Sequence, residues 1–305
     1  MSPQGRKIAC IGASGNIGSM TLPALLAKKV HTITVVQRPE SKGTYAAEVT
    51  VKTGPLDDEA FLAQAFAGQD VVLVQLSVEA MQLEKGIIQA AAKAGVPYIL
   101  PAEFGSDPEA KLVDELFVLQ QKRERRQLAE QLGVSAWIGV ITNPWLEFCL
   151  GGGVLAIHVK ERRALLYDGG NTKFVTTTLG RVGAAVAELL SLPEEQLATY
   201  RNRPFYVSSF HVTQRELLEA VLRQTGTTEA EWTIETPSCE DVEQQWGDKL
   251  KQGDMGGFLA MFPMLHFREG YGGDYQHKVD NAKFGFAEED LDQVVQGVVK
   301  QVEGA

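Results

Sequence analysis

The sequence predicts an α/β fold built on a doubly wound parallel sheet, and two observations carry this prediction. Short apolar runs typical of strands alternate with helical patterns through the first half of the chain, as β-α-β units do. A glycine-rich turn at residues 12–18 joins the first apolar run to the first helical pattern. This strand, glycine turn and helix start are typical of a Rossmann-type sheet.

Periodicity predicts the elements of this half in order. The run at residues 70–75 is continuously apolar at its centre, which is typical of a strand buried on both faces. The predicted strands are 7–11, 32–37, 48–52, 71–76, 97–101 and 135–141, and the predicted helices are 17–28, 57–66, 78–94, 111–132 and 179–190.

The alternation of elements loosens after Asn143 and Pro144. We therefore predict a first domain over residues 1–150 and a smaller C-terminal, substrate-binding domain over residues 151–305, with residues around 171–192 returning to the first domain. In the second domain, residues 212–224 read as a helix, with Thr213 and Glu216 at capping-box spacing.

The glycine turn has the chemistry of a dinucleotide site. A helix N-terminus presents unpaired N–H groups and a partial positive charge, both of which suit a pyrophosphate. Glycines let the backbone turn tightly and approach the phosphates. The alternative is a plain structural turn. The expected contacts are Gly12, Ser14, Gly15, Asn16, Ile17 and Gly18.

The end of the second strand indicates which dinucleotide binds. Arg38 lies about 20 residues beyond Gly18, where the residue that reads the ribose is expected. An NAD-binding chain carries Asp or Glu there, whereas Arg suits the 2′-phosphate of NADP. The sequence therefore predicts NADP(H) as the cofactor.

Ligands of a doubly wound sheet bind beyond the carboxyl ends of its strands. This rule adds cofactor contacts after the fourth, fifth and sixth strands, although Ser77 could simply cap a helix and Pro144 could simply end a strand. These contacts are Gln75, Leu76, Ser77, Ala102, Glu103, Phe104, Asn143 and Pro144.

The expected substrate contacts are apolar side chains near the last of these strand ends and in a later segment. Residues 253–275 are rich in glycine, methionine and aromatic residues. This composition fits a substrate-covering lid with glycine hinges and equally fits a core helix with loops. The candidate substrate contacts are Phe104, Trp145, Phe148, Phe258 and Phe262.

Composition excludes several classes of protein. The formal net charge of −10 argues against a nucleic-acid-binding protein. No apolar run is long enough to span a bilayer, and no secretory segment precedes the first strand. The three cysteines form no paired motif and the five histidines show no ligand spacing. We expect a cytoplasmic protein that uses no metal, nucleic acid or membrane; the sequence leaves a homodimer open.

Several motifs together resemble a known family. They are GASGNIGS, VVQRPES, LPAEFGSD, Lys122 at the head of KRERRQLAEQLG, and the later GGNTKFVTTTLGRVGAAVAELL. They resemble the NmrA-like, isoflavone-reductase-like group of atypical short-chain dehydrogenases. The resemblance implies an NADP-binding Rossmann domain with a smaller substrate domain. It departs from the family at Ala102, where many reductases have Ser, and at Pro144-Trp145, which replaces a commoner Gly-Phe-type pair.

Lys122 is the candidate catalytic residue and also a cofactor contact. No Tyr stands four residues before a Lys in this chain, and Val118 occupies that place before Lys122. The resemblance implies that reductases of the group use a lysine at this position. The alternative is a solvated helix face, because Lys122 begins a charged run that ends at Arg126. We expect Lys122 beside the buried stripe of this helix and Arg126 on the solvated side.

These observations together predict an NADPH-dependent reductase. It would transfer hydride to a carbonyl or conjugated alkene of a small hydrophobic molecule of aromatic or polyketide-like type. The first alternative is a regulator that senses the dinucleotide without turnover, as some members of the resembled group do. A non-redox enzyme or scaffold on the same fold is the second.

Overall fold

The computed structural model describes residues 4–304. The chain forms two compact units, each made of several chain segments. The first unit contains Met1–Phe104, Gln121–Ile141 and Leu179–Val207, and the second contains Gly105–Gln120, Thr142–Thr178 and Ser208–Ala305. The predicted domains have one boundary at residue 150 and one return around residues 171–192, and this division stays a prediction. The two units exchange chain segments at further places.

The strands of residues 4–304 are β1 (Lys7–Ile11), β2 (Thr32–Gln37), β3 (Thr50–Thr53), β4 (Val71–Val74), β5 (Tyr98–Leu100), β6 (Ala136–Ile141), β7 (Ile157–His158), β8 (Arg163–Leu165), β9 (Lys173–Thr176), β10 (Arg203–Tyr206), β11 (Phe210–Thr213) and β12 (Thr233–Glu235). The helices are α1 (Gly18–Ala27), α2 (Glu59–Phe66), α3 (Glu84–Lys93), α4 (Leu112–Glu115), α5 (Phe117–Leu132), α6 (Leu146–Gly151), α7 (Leu179–Leu190), α8 (Glu194–Leu197), α9 (Gln214–Thr225), α10 (Cys239–Lys251), α11 (Met255–Phe267), α12 (Asn281–Phe284) and α13 (Leu291–Glu303).

The first unit is built on a seven-stranded sheet with the order β10-β6-β5-β4-β1-β2-β3. Its strand pairs are all parallel. From β3 to β6 this is the doubly wound order, and the order reverses between β1 and β4. The predicted Rossmann-type fold is confirmed. All four residues of β4 are buried, as its continuous apolar run predicts.

Some predicted boundaries are right and others are wrong for local reasons. The predicted bounds of β1, β2 and α7 match the structure. The helix predicted at 78–94 is a 3-10 helix, Val78–Leu83, followed by α3. The helix predicted at 111–132 breaks at Leu116, which adopts an extended backbone and buries its side chain fully. Periodicity missed β10, a short edge strand that contains a proline.

The second unit has its own apolar core, to which α11 contributes. Met261, Met264 and Phe267 of α11 are buried in this core. The structure therefore agrees with the core-helix interpretation of this part of residues 253–275, although Met255 and Leu259 at the start of α11 are exposed. Within residues 4–304, no helix combines the length and apolarity needed to cross a bilayer.

The turn between β1 and α1 brings backbone segments of the first unit unusually close together. A Cβ atom added at Gly12, where φ is +77°, would lie 2.1 Å from the Gln75 carbonyl oxygen. One added at Gly18 would lie 2.2 Å from the Gly12 carbonyl oxygen. Both neighbours are backbone atoms and cannot rotate away. Glycine is therefore a steric requirement at these two positions.

We expect Gly18→Ala to lower the free energy of unfolding by at least about 2 kcal/mol, because the new methyl group overlaps backbone atoms. Gly297→Ala is the matched control. A Cβ at Gly297, inside α13, meets no atom within 4 Å. That control should raise stability by about 0.5–1 kcal/mol. Chemical denaturation of both variants measures the contrast, and equal stabilities would contradict the packing argument.

Candidate functional site

The glycine loop has the geometry of an anion-binding cradle. Ser14, Gly15 and Asn16 are exposed at its tip. The N-terminus of α1 has no side-chain cap at Ile17 and no acidic residue in its first turn. Its positive dipole end is therefore not neutralised by a neighbouring side chain. A Cβ added at Gly15 would meet only the Gly12 carbonyl oxygen, at 3.3 Å, so space is open beside it.

Gln75, at the end of β4, lies directly against this loop. Its Nε2 donates a 2.5 Å hydrogen bond to Thr21 Oγ1, on α1. Its Oε1 is buried without a partner in the structure, as expected of an acceptor left for a donor that binds there. Leu76 is half-buried and Ser77 is exposed. Ser77 directly precedes the 3-10 helix, as a helix cap would, but its side chain makes no capping hydrogen bond.

Arg38 follows β2 and its side chain is exposed. Because β1 and β2 are adjacent parallel strands, Arg38 and the glycine loop leave the same edge of the sheet. The Arg38 carbonyl accepts a 3.1 Å hydrogen bond from the Ser41 N–H, which holds the following turn. The side chain is thus placed beside the loop on a fixed backbone and remains accessible to a ligand.

The segment after β5 is buried and held by an acidic residue that sequence reasoning missed. Ala102, Glu103 and Phe104 are all buried. The Ala102 N–H donates a 2.6 Å hydrogen bond to Glu84 Oε1, at the start of α3. Burial raises the pKa of the Glu84 carboxyl, and the nearby Glu103 charge raises it further against the opposing Ala102 N–H bond. Phe104 has a φ of +25°, an uncommon backbone conformation for a bulky residue.

Lys122 lies against this segment rather than on a solvated face. Its ammonium group donates a hydrogen bond to the main-chain carbonyl of Glu103. Burial lowers the pKa of Lys122, and the carboxylates of Glu103 and Glu84 partly oppose this effect. A lysine with a lowered pKa at a strand end of a parallel sheet is a candidate acid.

The expectation that Arg126 lies on the solvated side is wrong. Arg126 is 7% exposed, and its Nη1 lies 2.5 Å from Oε1 of Glu103, which is 3% exposed. The guanidinium also packs over the Trp137 ring, at 5.6 Å from its centroid. Because Arg126 follows Lys122 by four residues, both lie on one face of α5. A glutamate shortly after a buried strand needs a cation nearby. The position of Glu103 in the sequence could therefore have indicated that a basic residue of α5 pairs with it.

Asn143 and Pro144 lie in the second unit and are buried. Asn143 has a φ of +51°. Its Nδ2 donates to the Gly273 carbonyl at 2.7 Å, while its Oδ1 is buried without a partner in the structure. The Pro144 carbonyl accepts a 2.7 Å bond from Thr176 Oγ1. These contacts hold a bent segment within the unit, and the predicted cofactor contacts stay a prediction.

The predicted substrate aromatics of the second unit form two groups. Trp145 and Phe148 meet edge to face at 5.8 Å, and Phe148 is half exposed. Phe258 and Phe262 lie 5.4 Å apart. Phe117, which the sequence did not single out, joins the second group at 6.2 Å from Phe258. Phe104, the remaining predicted contact, belongs to the first unit.

The buried polar pair of His266 and Ser106 lies next to the second aromatic group. The His266 ring lies 4.6 Å from that of Phe262. The His266 Nε2 lies 3.1 Å from Ser106 Oγ, and its Nδ1 lies 2.8 Å from the Phe262 carbonyl oxygen. Burial lowers the pKa of His266. A neutral ring that donates from Nδ1 to this carbonyl leaves Nε2 to accept from Ser106.

The cysteines of this chain are poorly placed for nucleophilic chemistry. Cys10, Cys149 and Cys239 are all buried free thiols. Burial raises the pKa of each thiol to about 12. Since the thiolate is the nucleophile, none of the three is activated.

Comparison with known proteins agrees with the fold. Oxidoreductase aprR of Aspergillus flavus is 29% identical over 305 residues, which cover 96% of this chain and 99% of aprR. Oxidoreductase poxI of Penicillium oxalicum is 26% identical over 98% of this chain and 96% of poxI. The solved structure of AtPrR2 with NADP+ and (+)pinoresinol has a TM-score of 0.78 at 20% identity and covers 97% of this chain and 99% of AtPrR2.

The model of the NmrA-like family matches residues 4–144. This segment contains the glycine loop, Arg38, the segment after β5 and Lys122. The resemblance inferred from the motifs is confirmed: the chain is similar to the NmrA-like family over residues 4–144.

Proposed function

We propose that this protein is an NADPH-dependent reductase of small hydrophobic carbonyl compounds or conjugated alkenes. The observation that carries the proposal is the placement of a half-buried lysine and an uncapped glycine loop in one parallel-sheet unit. The lysine lies on α5 and contacts the segment after β5, and the loop follows β1. Relatives of similar length named as oxidoreductases support the redox class.

Several of the chain's own groups would hold the cofactor. The N–H groups at the start of α1 would hold the pyrophosphate, and the open space beside Gly15 admits it. Arg38 would grip the 2′-phosphate through parallel hydrogen bonds. The NADP+ bound in the related AtPrR2 structure supports this choice of dinucleotide.

When bound, NADPH supplies the hydride for a reduction. Negative charge then develops on the oxygen of the acceptor. The Lys122 ammonium has three donors, one of which is engaged by the Glu103 carbonyl. A remaining N–H would donate to the developing charge, and the lowered pKa of Lys122 would ease transfer of the proton.

We expect Gly15→Val to abolish NADPH binding while the melting temperature stays close to that of the wild type. A Cβ there makes one close contact within 4 Å, at 3.3 Å from the Gly12 carbonyl oxygen, which a small backbone shift relieves, and the side chain fills the space assigned to the pyrophosphate. Fluorescence titration and thermal unfolding provide the two readouts. Retained micromolar affinity in the variant would contradict the loop assignment.

We expect Arg38→Ala to weaken NADPH binding by roughly tenfold to a hundredfold. Hydrogen bonds to charged groups contribute about 1.5–3 kcal/mol each, and about 1.4 kcal/mol corresponds to tenfold in affinity. NADH lacks the 2′-phosphate, so its affinity should barely change and serves as the internal control. A wild-type preference for NADH in the same titration would overturn this assignment.

The reaction is tested by mixing the protein with NADPH and a panel of enones and aryl ketones while following NADPH absorbance. We expect Lys122→Met to lower kcat by about 10²–10⁴, the range for a lost acid–base group, with a much smaller change in NADPH affinity. Lys85→Met is the matched control, because Lys85 is exposed on α3, and its kcat should match the wild type.

Two outcomes would contradict parts of the proposal. Equal rates for Lys122→Met and the wild type would mean that Lys122 does not act on the substrate. Tight NADPH binding without oxidation on any acceptor would favour a dinucleotide sensor over a reductase.

A further inference from the structure

One glutamate serves both basic residues of the buried face of α5. Lys122 donates to the main-chain carbonyl of Glu103, whereas Arg126 pairs with its carboxylate. A carboxylate normally attracts a nearby ammonium group more strongly than a neutral carbonyl does. The arrangement therefore depends on what keeps the Glu103 carboxylate directed to Arg126.

The neighbouring strand β6 provides the space for this ion pair. A Cβ added at Gly139 would lie 3.3 Å from Glu103 Cγ, so any larger residue at position 139 would press on the glutamate. Trp137, two residues earlier, places its ring beneath the Arg126 guanidinium. The Trp137 Nε1 donates to Glu130 Oε1 at 2.7 Å, which fixes the indole. The Glu103–Arg126 ion pair is therefore enclosed by residues of β6 and is not an incidental contact on the surface.

We propose that Arg126 is a positioning residue for Lys122. By engaging the Glu103 carboxylate, it directs the Lys122 ammonium to the neutral Glu103 carbonyl in place of an ion pair. This inference refines the role of Lys122 in the proposed function and rests on it.

Three charged groups on the surrounding elements affect the pKa of Lys122. The Glu103 carboxylate follows β5, the Glu84 carboxylate begins α3, and the Arg126 guanidinium lies one turn further along α5. Arg125 acts on Glu84 in turn. Loss of Arg126 removes a positive charge and releases the Glu103 carboxylate toward Lys122. Both changes favour the charged form of Lys122, so its titration midpoint should move to higher pH.

The test measures the titration of Lys122 directly, in protein labelled with ¹³C at the lysine ε-carbons and without any substrate. The Lys122 signal is assigned by its absence from Lys122→Met, and exposed Lys85 serves as the internal control. We expect Arg126→Met to raise the Lys122 midpoint by at least about one pH unit, as a close opposite charge does. Arg126→Lys, which restores the cation, should remain near the wild type.

A double variant separates this role from a loosened fold. Greater exposure would also move the Lys122 midpoint upward, since burial lowers its pKa. Adding Glu103→Gln to Arg126→Met removes the carboxylate and should return the midpoint to the wild-type value or below. A midpoint that stays high in the double variant, or that never moves in Arg126→Met, would overturn the proposal.

A fallback variant and the independence of the titration from turnover protect the test against misfolding and against a failed activity assay. An unpaired buried carboxylate is strongly destabilising, so Arg126→Gln, whose amide still donates to Glu103, is used if Arg126→Met does not fold. It should show an upward shift that is smaller than that of Arg126→Met, because the guanidinium charge is lost while the Glu103 carboxylate stays engaged, and an unchanged midpoint would overturn the proposal. The titration requires no turnover, so a failed reductase assay leaves it intact. If the protein is active, kcat should fall in Arg126→Met while NADPH affinity holds.

Discussion

The close approach of the backbone at Gly12 is the constraint on which the candidate site depends. The Gly12 carbonyl lies where a side chain at Gly18 would begin, and Gly12 itself abuts the Gln75 carbonyl. These contacts fix the end of β1, the start of α1 and the end of β4 relative to one another. With glycine at positions 12, 15 and 18, no side chain fills the turn at these points, and the N-terminus of α1 stays accessible. A cradle of this kind is prepared before any ligand arrives, which reduces the ordering cost of binding.

Burial of charge is the second organising feature of the first unit. Glu84, Glu103, Lys122 and Arg126 place two acids and two bases beside the end of β5. Such a cluster costs solvation energy and is tolerated only when its members satisfy one another. Each of the four makes a hydrogen bond or an ion pair here. The cluster therefore holds a lysine in a poorly solvated setting where its proton is easier to release.

The second unit combines aromatic surface with two polar groups of limited freedom. Asn143 is fixed by Gly273, and His266 is fixed by the Phe262 carbonyl. Phe262 lies beside the His266 ring, and Phe258 lies beside Phe262, so half-buried rings with flat apolar area adjoin the histidine. The same unit buries the second half of α11 in its core, so the methionines there contribute to stability.

Local patterns in the sequence predict the Rossmann-type parallel sheet, the glycine loop and the location of Arg38 after the second strand. These features depend on local patterns: apolar runs, glycine spacing and the residue that ends a strand. The tertiary structure decided the environment of Lys122, the burial of Arg126 and the role of Glu84. These three depend on which residues of distant segments meet, and a charged run on a helix reads the same whether it faces water or a buried glutamate. Helical spacing shows that Lys122 and Arg126 share a face, but only the packing of α5 against the end of β5 buries it.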